Sequence, residues 1–352
     1  MNISAVIVNY FTKDLLSELL VQLEENELVQ EIIVVDNSAQ LGKELSRQDS
    51  SKIKLISNRI NLGFGAAINQ AAHNAACSWL LAVNPDIRFL PGCIENLAAA
   101  AQEYGSPLVG PRFYWDDDKL FKLPPATGQS RWWHLAQQAA AMNRLDAELL
   151  SFYWRIRHDR FWQARAPFEE PFLSGACLLI DLDWLSGVKQ PVFDEDFFLY
   201  FEDTDLCVRI LEGNETPICV PEAEAIHYWN QAPGGEKAAL MGQSESRFWN
   251  KHYGFAPRDM DICSSSSVSN YLNLGTIQQN HRFKTSGINV SVSHFFEFGL
   301  SPLFVPFAQC QLQKPEFIFP VPIWNRLAPG EYYSRIRSET QGTEEYWKWK
   351  KA

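Results

Sequence analysis

The chain has 352 residues, of which 46% are hydrophobic and 21% are charged, a composition typical of a globular protein with a large buried core. Its formal net charge of -11 argues against nucleic-acid binding, which would require a basic surface. No apolar run reaches the roughly 18 residues of a membrane-spanning helix, and the N-terminus has no basic signal-peptide region, which predicts a cytoplasmic protein.

Strand and helix patterns alternate over residues 1–110. The predicted strands are Ile3–Asn9, Glu31–Asp36, Ile53–Ser57 and Trp79–Val83, and the predicted helices are Leu15–Leu23, Ala66–Ala76 and Pro91–Tyr104. This alternation predicts an α/β fold with a mostly parallel central sheet and right-handed crossovers. Ligands of such sheets bind at the carboxyl ends of the strands, and Asp36 and Asp86 lie at or just beyond such ends.

Residues 112–170 break this alternation with an aromatic and partly basic segment. Its most distinctive parts are Trp115–Asp118, Arg131–His134 and Phe152–Arg157. We interpret it as a helical insertion in the first domain. It would cover the site, grip an acceptor or rest on a membrane surface as an amphipathic element. A packing role alone is the alternative.

Regular elements return with a strand that ends at Ile180. An acidic helix start follows, in which Glu202, Asp203 and Asp205 come directly after an aromatic run. Carboxylates at a helix N-terminus are stabilised by the helix dipole and by free backbone N–H groups, so one of them suits a general base. We expect Asp205 to hold Arg209, four residues further along the helix.

The first domain ends with two predicted strands and a helix, and the composition then changes. The strands are Ile218–Val220 and Ala225–His227, and the helix is Glu236–His252. After a serine-rich linker at Ser264–Ser267, strand-like runs separated by prolines occur at Ile288–Val292, Phe317–Pro322 and Glu331–Arg337. This predicts a catalytic domain over residues 1–258 and a small β-rich accessory domain over residues 268–352. Sugar binding, dimerisation and partner docking are the alternatives for the second domain, and an oligomer could form through it.

Six short motifs follow one another in order along the first domain. They are Val8–Tyr10, Val35–Ser38, Asn61–Gly65 with Asn69, Val83–Asp86, Phe172–Ala176 and Phe201–Leu206. Together they resemble glycosyltransferase family 2, especially its bacterial rhamnosyltransferase-like members, over residues 3–255. The resemblance implies a GT-A fold, a nucleotide-sugar donor, inversion at the anomeric carbon and a divalent cation, Mg²⁺ or Mn²⁺.

The resemblance also implies a nucleotide site in the first half of the domain. Its residues would be Asn9, Tyr10, Asp36, Ser38, Asn61, Gly63, Phe64, Gly65, Asn69 and Asn84. Asp36 would accept a hydrogen bond from the N3–H of uracil or thymine, because an ionised carboxylate only accepts. Capping of the next turn is the alternative role for this aspartate. The glycines would allow a tight turn with positive φ.

The same resemblance implies the metal ligands and the catalytic base. Asp86 stands at the family's metal-binding DxD aspartate, with Asn84 in place of the first aspartate, and His227 matches a position that can supply a second ligand. A structural role is the alternative for this histidine. A hard divalent cation would neutralise the diphosphate leaving group. Asp203 matches the family's base, and Glu202 either binds the acceptor or takes that role.

The sugar and acceptor pocket would be lined by Ser174, Gly175 and Ala176. Arg247 would reach the diphosphate, with a simple surface position as the alternative. Its spacing does not give the QxxRW pattern of polymerising members, so single-residue addition is favoured.

The predicted function is transfer from dTDP-rhamnose or a UDP-sugar to a polysaccharide or lipid-linked glycan precursor. Contact with the inner membrane face through residues 131–165 fits this function. A non-catalytic sugar- or nucleotide-binding protein on a decayed scaffold is the alternative. A nucleotidyltransferase is disfavoured, because Asn9–Lys13 stands where such an enzyme carries a glycine-rich loop.

Overall fold

The computed structural model describes residues 1–42, 50–228, 237–254, 271–284, 292–314, 316–338 and 343–352. These residues form two compact units. The first contains residues 1–112, 164–227 and 237–254, and the second contains residues 113–163, Tyr228 and the described residues from 271 onward. Residues 113–163 thus group with the C-terminal part, whereas the sequence suggested an insertion in the first domain. The serine-rich segment 264–267 lies outside the described residues.

The first unit begins with alternating strands and helices. They are β1 (Ile3–Asn9), α1 (Lys13–Glu25), β2 (Val29–Asp36), β3 (Ile53–Ser57), α2 (Phe64–Ala72), β4 (Trp79–Val83), β5 (Ile87–Phe89), α3 (Cys93–Tyr104) and β6 (Leu108–Tyr114), of which the last two residues belong to the second unit. Every residue of β1 is buried, as expected for a strand covered on both faces. Helix α1 buries Leu16, Leu19, Leu20 and Leu23 along one side, which holds it against the sheet.

The later elements alternate between the units. In the second unit, β7 (Phe121–Lys122) precedes α4 (Arg131–Met142) and α5 (Arg144–Gln163). The first unit then adds β8 (Phe168–Glu169), β9 (Cys177–Asp181), α6 (Leu182–Gly187), α7 (Glu202–Glu212), β10 (Ile218–His227) and α8 (Lys237–Tyr253). The second unit ends with β11 (Leu272–Thr276), β12 (Phe283–Lys284), β13 (His294–Gly299), β14 (Ala308–Leu312), β15 (Glu316–Phe317), α9 (Val321–Arg326), β16 (Gly330–Ser338) and β17 (Thr343–Lys351). No described helix is long and apolar enough to cross a membrane.

The sheet of the first unit has the strand order β6-β9-β4-β1-β2-β3. Strands β4, β1, β2 and β3 are parallel, as the strand–helix alternation predicted. Strand β9 runs antiparallel to β4, with Cys177 opposite Val83, and β6 runs antiparallel to β9. Strand β10 also pairs antiparallel with β5 and β8. The sheet is therefore mixed, which corrects the expectation of a mostly parallel sheet. Strand β9 begins beside the end of β4 and runs back along it, which makes this pairing antiparallel.

The second unit has a sheet of order β11-β17-β16-β13-β14-β7, in which only β11 and β17 pair in parallel. Its core is aromatic, and the rings of Phe296 and Phe317 stack with centroids 3.9 Å apart. The predicted strand over Phe317–Pro322 is confirmed only at Phe317, which ends β15. Helix α9 begins at Val321 with proline in its first turn, where the missing N–H costs nothing. The predicted strand at Glu331–Arg337 is confirmed as part of β16, and residues 288–291 lie outside the described residues.

Candidate active site

Polar residues from neighbouring strands meet at one edge of the first unit's sheet. Asn9 ends β1 and lies opposite Asp36, which ends β2. Asn84 follows β4, and its backbone N–H donates to the carbonyl of Ala176 at 2.9 Å, just before β9 begins. Since the carboxyl ends of parallel strands share one edge, Asn9, Asp36 and Asn84 come together there with the predicted sugar-pocket turn.

The Asp36 carboxylate stabilises the turn that follows β2. Its Oδ1 accepts from Asn9 Nδ2 at 2.9 Å and from the Ser38 backbone N–H and hydroxyl at 3.0 and 2.8 Å. Its Oδ2 accepts from the Leu41 N–H at 2.8 Å. Burial alone would raise the pKa of Asp36, but these hydrogen bonds outweigh burial and lower it. With the side chain only 1% exposed, turn capping is favoured over the predicted contact with a uracil or thymine base.

A network of side-chain amides supports the next loop. Asn37 Nδ2 donates to Asn61 Oδ1 and to the Gly63 carbonyl, both at 3.1 Å. Asn58 Nδ2 donates to Asn37 Oδ1 and to Gln70 Oε1, both at 2.9 Å. The sequence did not identify Asn37, Asn58 and Gln70 as site residues. The strand-end rule could have found Asn58, because it directly follows β3 at the same edge.

The two glycines of the Asn61–Gly65 motif permit close packing within the chain. Gly63 has φ +88°, as the predicted tight turn requires. A Cβ there would lie 2.4 Å from the carbonyl oxygen of Phe198, and a Cβ on Gly65 would lie 3.1 Å from Cβ of Phe193. The Phe64 N–H also donates to the Phe198 carbonyl at 3.0 Å. These contacts account for both glycines without a ligand.

Three other predicted ligand contacts have different surroundings. Asn69 donates to the carbonyl of Phe193 at 2.7 Å and accepts from its N–H at 3.0 Å, so its amide holds the chain segment before α7. Arg247 is exposed on α8 and donates to the carbonyl of Asp196, which favours the surface position over contact with a diphosphate. Tyr10 is half-buried just after β1 and remains close to the strand edge.

Asp203 is fixed at the start of α7 by the predicted sugar-pocket turn. Its Oδ2 accepts from the Gly175 N–H at 2.8 Å and its Oδ1 from the Thr204 N–H at 2.7 Å. A Cβ on Gly175 would lie 2.9 Å from Cβ of Asp203, so only glycine allows this approach. Burial raises the pKa of Asp203, although these hydrogen bonds act in the opposite direction. The structure thus joins the predicted base to the predicted pocket.

Glu202, next to this base, is in a drier environment. Its side chain is 6% exposed, and its Oε2 has no hydrogen-bond partner among the described residues. Burial and, secondarily, the charge of Asp203 raise the pKa of Glu202 to about 8, so it is mostly protonated at neutral pH. Tyr200 and Phe201, both at φ +69°, form a strained turn before it that the sequence did not reveal.

Asp205 has a structural role in the same helix. Its carboxylate accepts from Arg209 Nε at 2.8 Å and from Lys251 Nζ at 2.6 Å, and it contacts His252 Nε2 at 2.8 Å. Burial opposes ionisation, but His252, Lys251 and Arg209 outweigh it and lower the pKa of Asp205 to about 2. The predicted pair with Arg209 is confirmed, and the added contacts tie α7 to α8.

The predicted metal ligands Asp86 and His227 lie beside each other. Strand β10 pairs with β5 so that His227 is opposite Ile87, which brings its Nε2 within 3.5 Å of Asp86 Oδ2. Burial lowers the pKa of His227 despite the charge of Asp86, which leaves the imidazole neutral and able to bind a metal at pH 7.

This carboxylate and imidazole pair fits a divalent cation such as Mn²⁺. The described residues contain no cluster of three or more His, Cys, Asp or Glu side chains suited to a metal. The chain would therefore supply two of these ligands, and the diphosphate and water the others.

Two sequence comparisons with known proteins both identify glycosyltransferases. The family model of Glycosyl transferase family 2 matches residues 4–183. The chain is 26% identical over 233 residues to N-acetylglucosaminyl-diphospho-decaprenol L-rhamnosyltransferase of Mycobacterium tuberculosis (strain CDC 1551 / Oshkosh), with 60% of this chain and 70% of the relative covered.

Two solved structures are among the similar ones. The crystal structure of S. aureus TarS 1-349 has a TM-score of 0.46 at 14% identity and covers 72% of this chain and 73% of that chain. The mannosyltransferase PcManGT from Pyrobaculum calidifontis, in complex with GDP-Man and Mn²⁺, has a TM-score of 0.45 at 13% identity and covers 76% of this chain and 69% of that chain.

Proposed function

Because this chain belongs to glycosyl transferase family 2 and is a glycosyltransferase, we propose that it moves one sugar, with inversion, from a nucleotide diphosphate sugar to an acceptor hydroxyl. The observation that carries the proposal is the attachment of Asp203 to Gly175 at the strand edge, where the N–H to Oδ2 distance is 2.8 Å. A carboxylate held there at a helix start can meet an acceptor beside the predicted sugar pocket.

In this reaction Asp203 takes the proton from the acceptor hydroxyl. The hydroxyl oxygen attacks the anomeric carbon, and the bond to the diphosphate breaks on the opposite face, with the electron pair leaving on the diphosphate. The Gly175 N–H holds one carboxylate oxygen, which fixes the orientation of the base. Glu202, with its pKa raised to about 8 by burial and by Asp203, is protonated near neutral pH and would donate a hydrogen bond to the acceptor.

Asp86 and His227 would hold the divalent cation, which neutralises the charge on the leaving diphosphate when bound. Their 3.5 Å separation lets both face one ion. Since imidazole nitrogen is a better ligand for Mn²⁺ than for Mg²⁺, we expect Mn²⁺ to bind more tightly.

For the donor, dTDP-rhamnose is favoured, with a UDP-sugar as the other candidate. The name of the mycobacterial relative, an L-rhamnosyltransferase acting on N-acetylglucosaminyl-diphospho-decaprenol, supports rhamnose as the sugar and a lipid-linked glycan as the acceptor. Such an acceptor and a nucleotide-sugar donor would place the enzyme in the cytoplasm, peripheral at the inner membrane. Its product would then serve the assembly of a cell-envelope polysaccharide.

A thermal-unfolding panel with UDP, dTDP, GDP and CDP, each with and without Mn²⁺ or Mg²⁺, tests the donor site. We expect a metal-dependent rise in Tm with dTDP or UDP, because binding to the native state alone stabilises it. Asp86→Ala and His227→Ala should abolish the rise, whereas Asp183→Ala, an exposed aspartate on α6, should keep it. A Tm unchanged by every nucleotide would contradict the donor site.

The same panel addresses the non-catalytic alternative when it is paired with a transfer assay. A binding protein on a decayed scaffold would show the nucleotide-dependent rise but no product with any acceptor.

A further inference from the structure

The α4–α5 hairpin in the second unit exposes an unusual number of large apolar side chains. Eight of them are between 43% and 81% exposed, and they form what we call the hairpin surface: Trp132, Leu135 and Met142 on α4, and Leu145, Leu149, Phe152, Tyr153 and Ile156 on α5. Single exposed apolar residues are common, but a group of this size usually marks a surface that binds something.

Helix α5 is apolar on two sides, and one of them packs into the core. Its buried side carries Ala147, Leu150 and Trp154, which cluster with Phe304 and Phe307 of the same unit. This packing anchors the helix without help from the exposed side.

The exposed side of α5 has a helical periodicity of its own. Leu145, Leu149, Phe152 and Ile156 follow one another at intervals of four, three and four residues, which places them along one face. The ring of Tyr153 lies 4.8 Å from the ring of Trp132 on α4. The apolar stripes of the two helices therefore join into one surface.

The charge around the hairpin surface indicates its partner. Residues 131–163 contain five arginines and three carboxylates, whereas the whole chain has a net charge of -11. Exposed arginines stand at the ends of the stripes, with Arg131 next to Trp132 and Arg160 four residues after Ile156. Exposed aromatic and aliphatic side chains bordered by arginine are typical of helices that lie in an anionic membrane interface. Two copies of this locally basic surface would instead repel each other.

We propose that the hairpin surface docks on an anionic lipid bilayer, with Trp132, Leu149 and Phe152 among the side chains that enter the interface and the bordering arginines contacting lipid headgroups. This inference deepens the proposed function, on which it rests for the reason to be at a membrane. A lipid-linked acceptor is held in a bilayer, and docking would keep the enzyme at the leaflet where that acceptor is found.

Vesicle flotation of the full chain tests the docking. The vesicles contain either phosphatidylcholine alone or phosphatidylcholine with phosphatidylglycerol, and we expect binding mainly to the second kind. The double variant Leu149→Ser/Phe152→Ser should weaken binding by roughly tenfold or more, because two exposed apolar anchors are lost. Both residues are exposed, so the fold should persist.

The matched control is Leu272→Ser/Leu300→Ser, which changes two leucines of similar exposure elsewhere in the same unit. It should bind vesicles like the wild type. Arg131→Gln/Arg160→Gln should reduce the preference for phosphatidylglycerol, since the headgroup contacts are electrostatic.

Two results would overturn the docking proposal. One is equal flotation of the Leu149→Ser/Phe152→Ser variant and the wild type, or no flotation of either. The other is a wild-type dimer that this variant converts to a monomer, which would assign the surface to a contact between copies. Transfer to a water-soluble acceptor should be unchanged in the variant, so loss of vesicle binding with retained transfer leaves the proposed function intact.

Discussion

At the start of α7, two neighbouring carboxyl groups have different surroundings and therefore different expected roles. Asp203 accepts hydrogen bonds from Gly175 and Thr204, whereas one oxygen of Glu202 has no partner among the described residues. Burial raises the pKa of both groups, but the hydrogen bonds to Asp203 favour its ionised form. This contrast supports Asp203 as the base, a choice between the two that the sequence left open.

Asp203→Asn should reduce kcat by about 10²–10⁴-fold, the usual contribution of a general base, with nucleotide affinity nearly unchanged. Steady-state kinetics and calorimetric titration of the nucleotide measure the two effects. Glu202→Gln should retain more turnover than Asp203→Asn. The reverse order would assign the base to Glu202.

Glu202 also predicts a pH dependence of stability. Its pKa is about 8 in the fold, raised first by burial and then by Asp203, against an ordinary value of 4.5. The folded state therefore keeps a proton that the unfolded state releases, so this group lowers stability as pH rises from about 4.5 to about 8.

Glu202→Gln should remove this fall in stability between about pH 4.5 and pH 8. The variant should be more stable than the wild type by about 2–4 kcal/mol near pH 8. Urea unfolding at a series of pH values measures this. Glu103→Gln, an exposed change on α3, should leave the slope as it is, and a wild-type slope in Glu202→Gln would contradict the assignment.

Between α7 and α8, the contacts of Asp205 act as an electrostatic clamp. The ordinary pKa of this aspartate is 3.8. Burial alone would raise the pKa, but His252, Lys251 and Arg209 lower it to about 2. The clamp's stabilisation is therefore fully present above about pH 4 and is lost as pH falls toward 2.

Asp205→Asn should cost about 3–5 kcal/mol at neutral pH, because the buried Arg209 guanidinium loses its carboxylate, and should flatten the acid limb of the stability curve. Denaturant unfolding from neutral to acid pH measures both, with the exposed Asp183→Asn as control. A loss of stability below about 1 kcal/mol, the size of an ordinary surface ion pair, would contradict a stabilising role for the contacts of Asp205.

The loop before α2 depends on glycine at one position. Gly63 has φ +88°, and a Cβ there would lie 2.4 Å from the Phe198 carbonyl oxygen. Gly63→Ala should destabilise the protein by about 2–4 kcal/mol through backbone strain and the clash.

The control for Gly63→Ala is Gly242→Ala in α8, where a Cβ would meet nothing within 4 Å. It should be neutral or stabilise slightly, since alanine is the better helix former. Chemical unfolding of both variants makes the comparison, and equal stabilities would contradict the packing account of the loop.

Apolar strand patterns explain why several elements and edge residues were predictable. Asp36 ends a buried strand and Asp86 lies just beyond another, so the strand-end rule found them, whereas Asn9 and Asn84 were named through the family resemblance. The contact of Gly63 with Phe198 and the amide bond of Asn69 with Phe193 join distant parts of the chain. Periodicity carries no signal for such contacts, and the family motifs suggested a ligand there instead.

On the scale of the whole molecule, the predicted membership in glycosyltransferase family 2 is confirmed over residues 4–183, and so is a β-rich C-terminal part. The grouping of residues 113–163 with that part was not predictable. Because α5 is apolar on both sides, its sequence does not reveal which side is packed. The domain boundaries at residues 258 and 268 and the site roles stay predictions.

The central claim is that the chain catalyses metal-dependent sugar transfer at the sheet edge where Asp203 contacts Gly175. The most direct measurement is detection, by mass spectrometry, of rhamnosylated product from dTDP-rhamnose and a lipid-linked N-acetylglucosaminyl diphosphate acceptor, with and without Mn²⁺. The account predicts product with Mn²⁺, little without it, and almost none from Asp203→Asn, and NMR of the product should show inverted anomeric configuration. Equal product from the wild type and Asp203→Asn, or equal product with and without the metal, would contradict it.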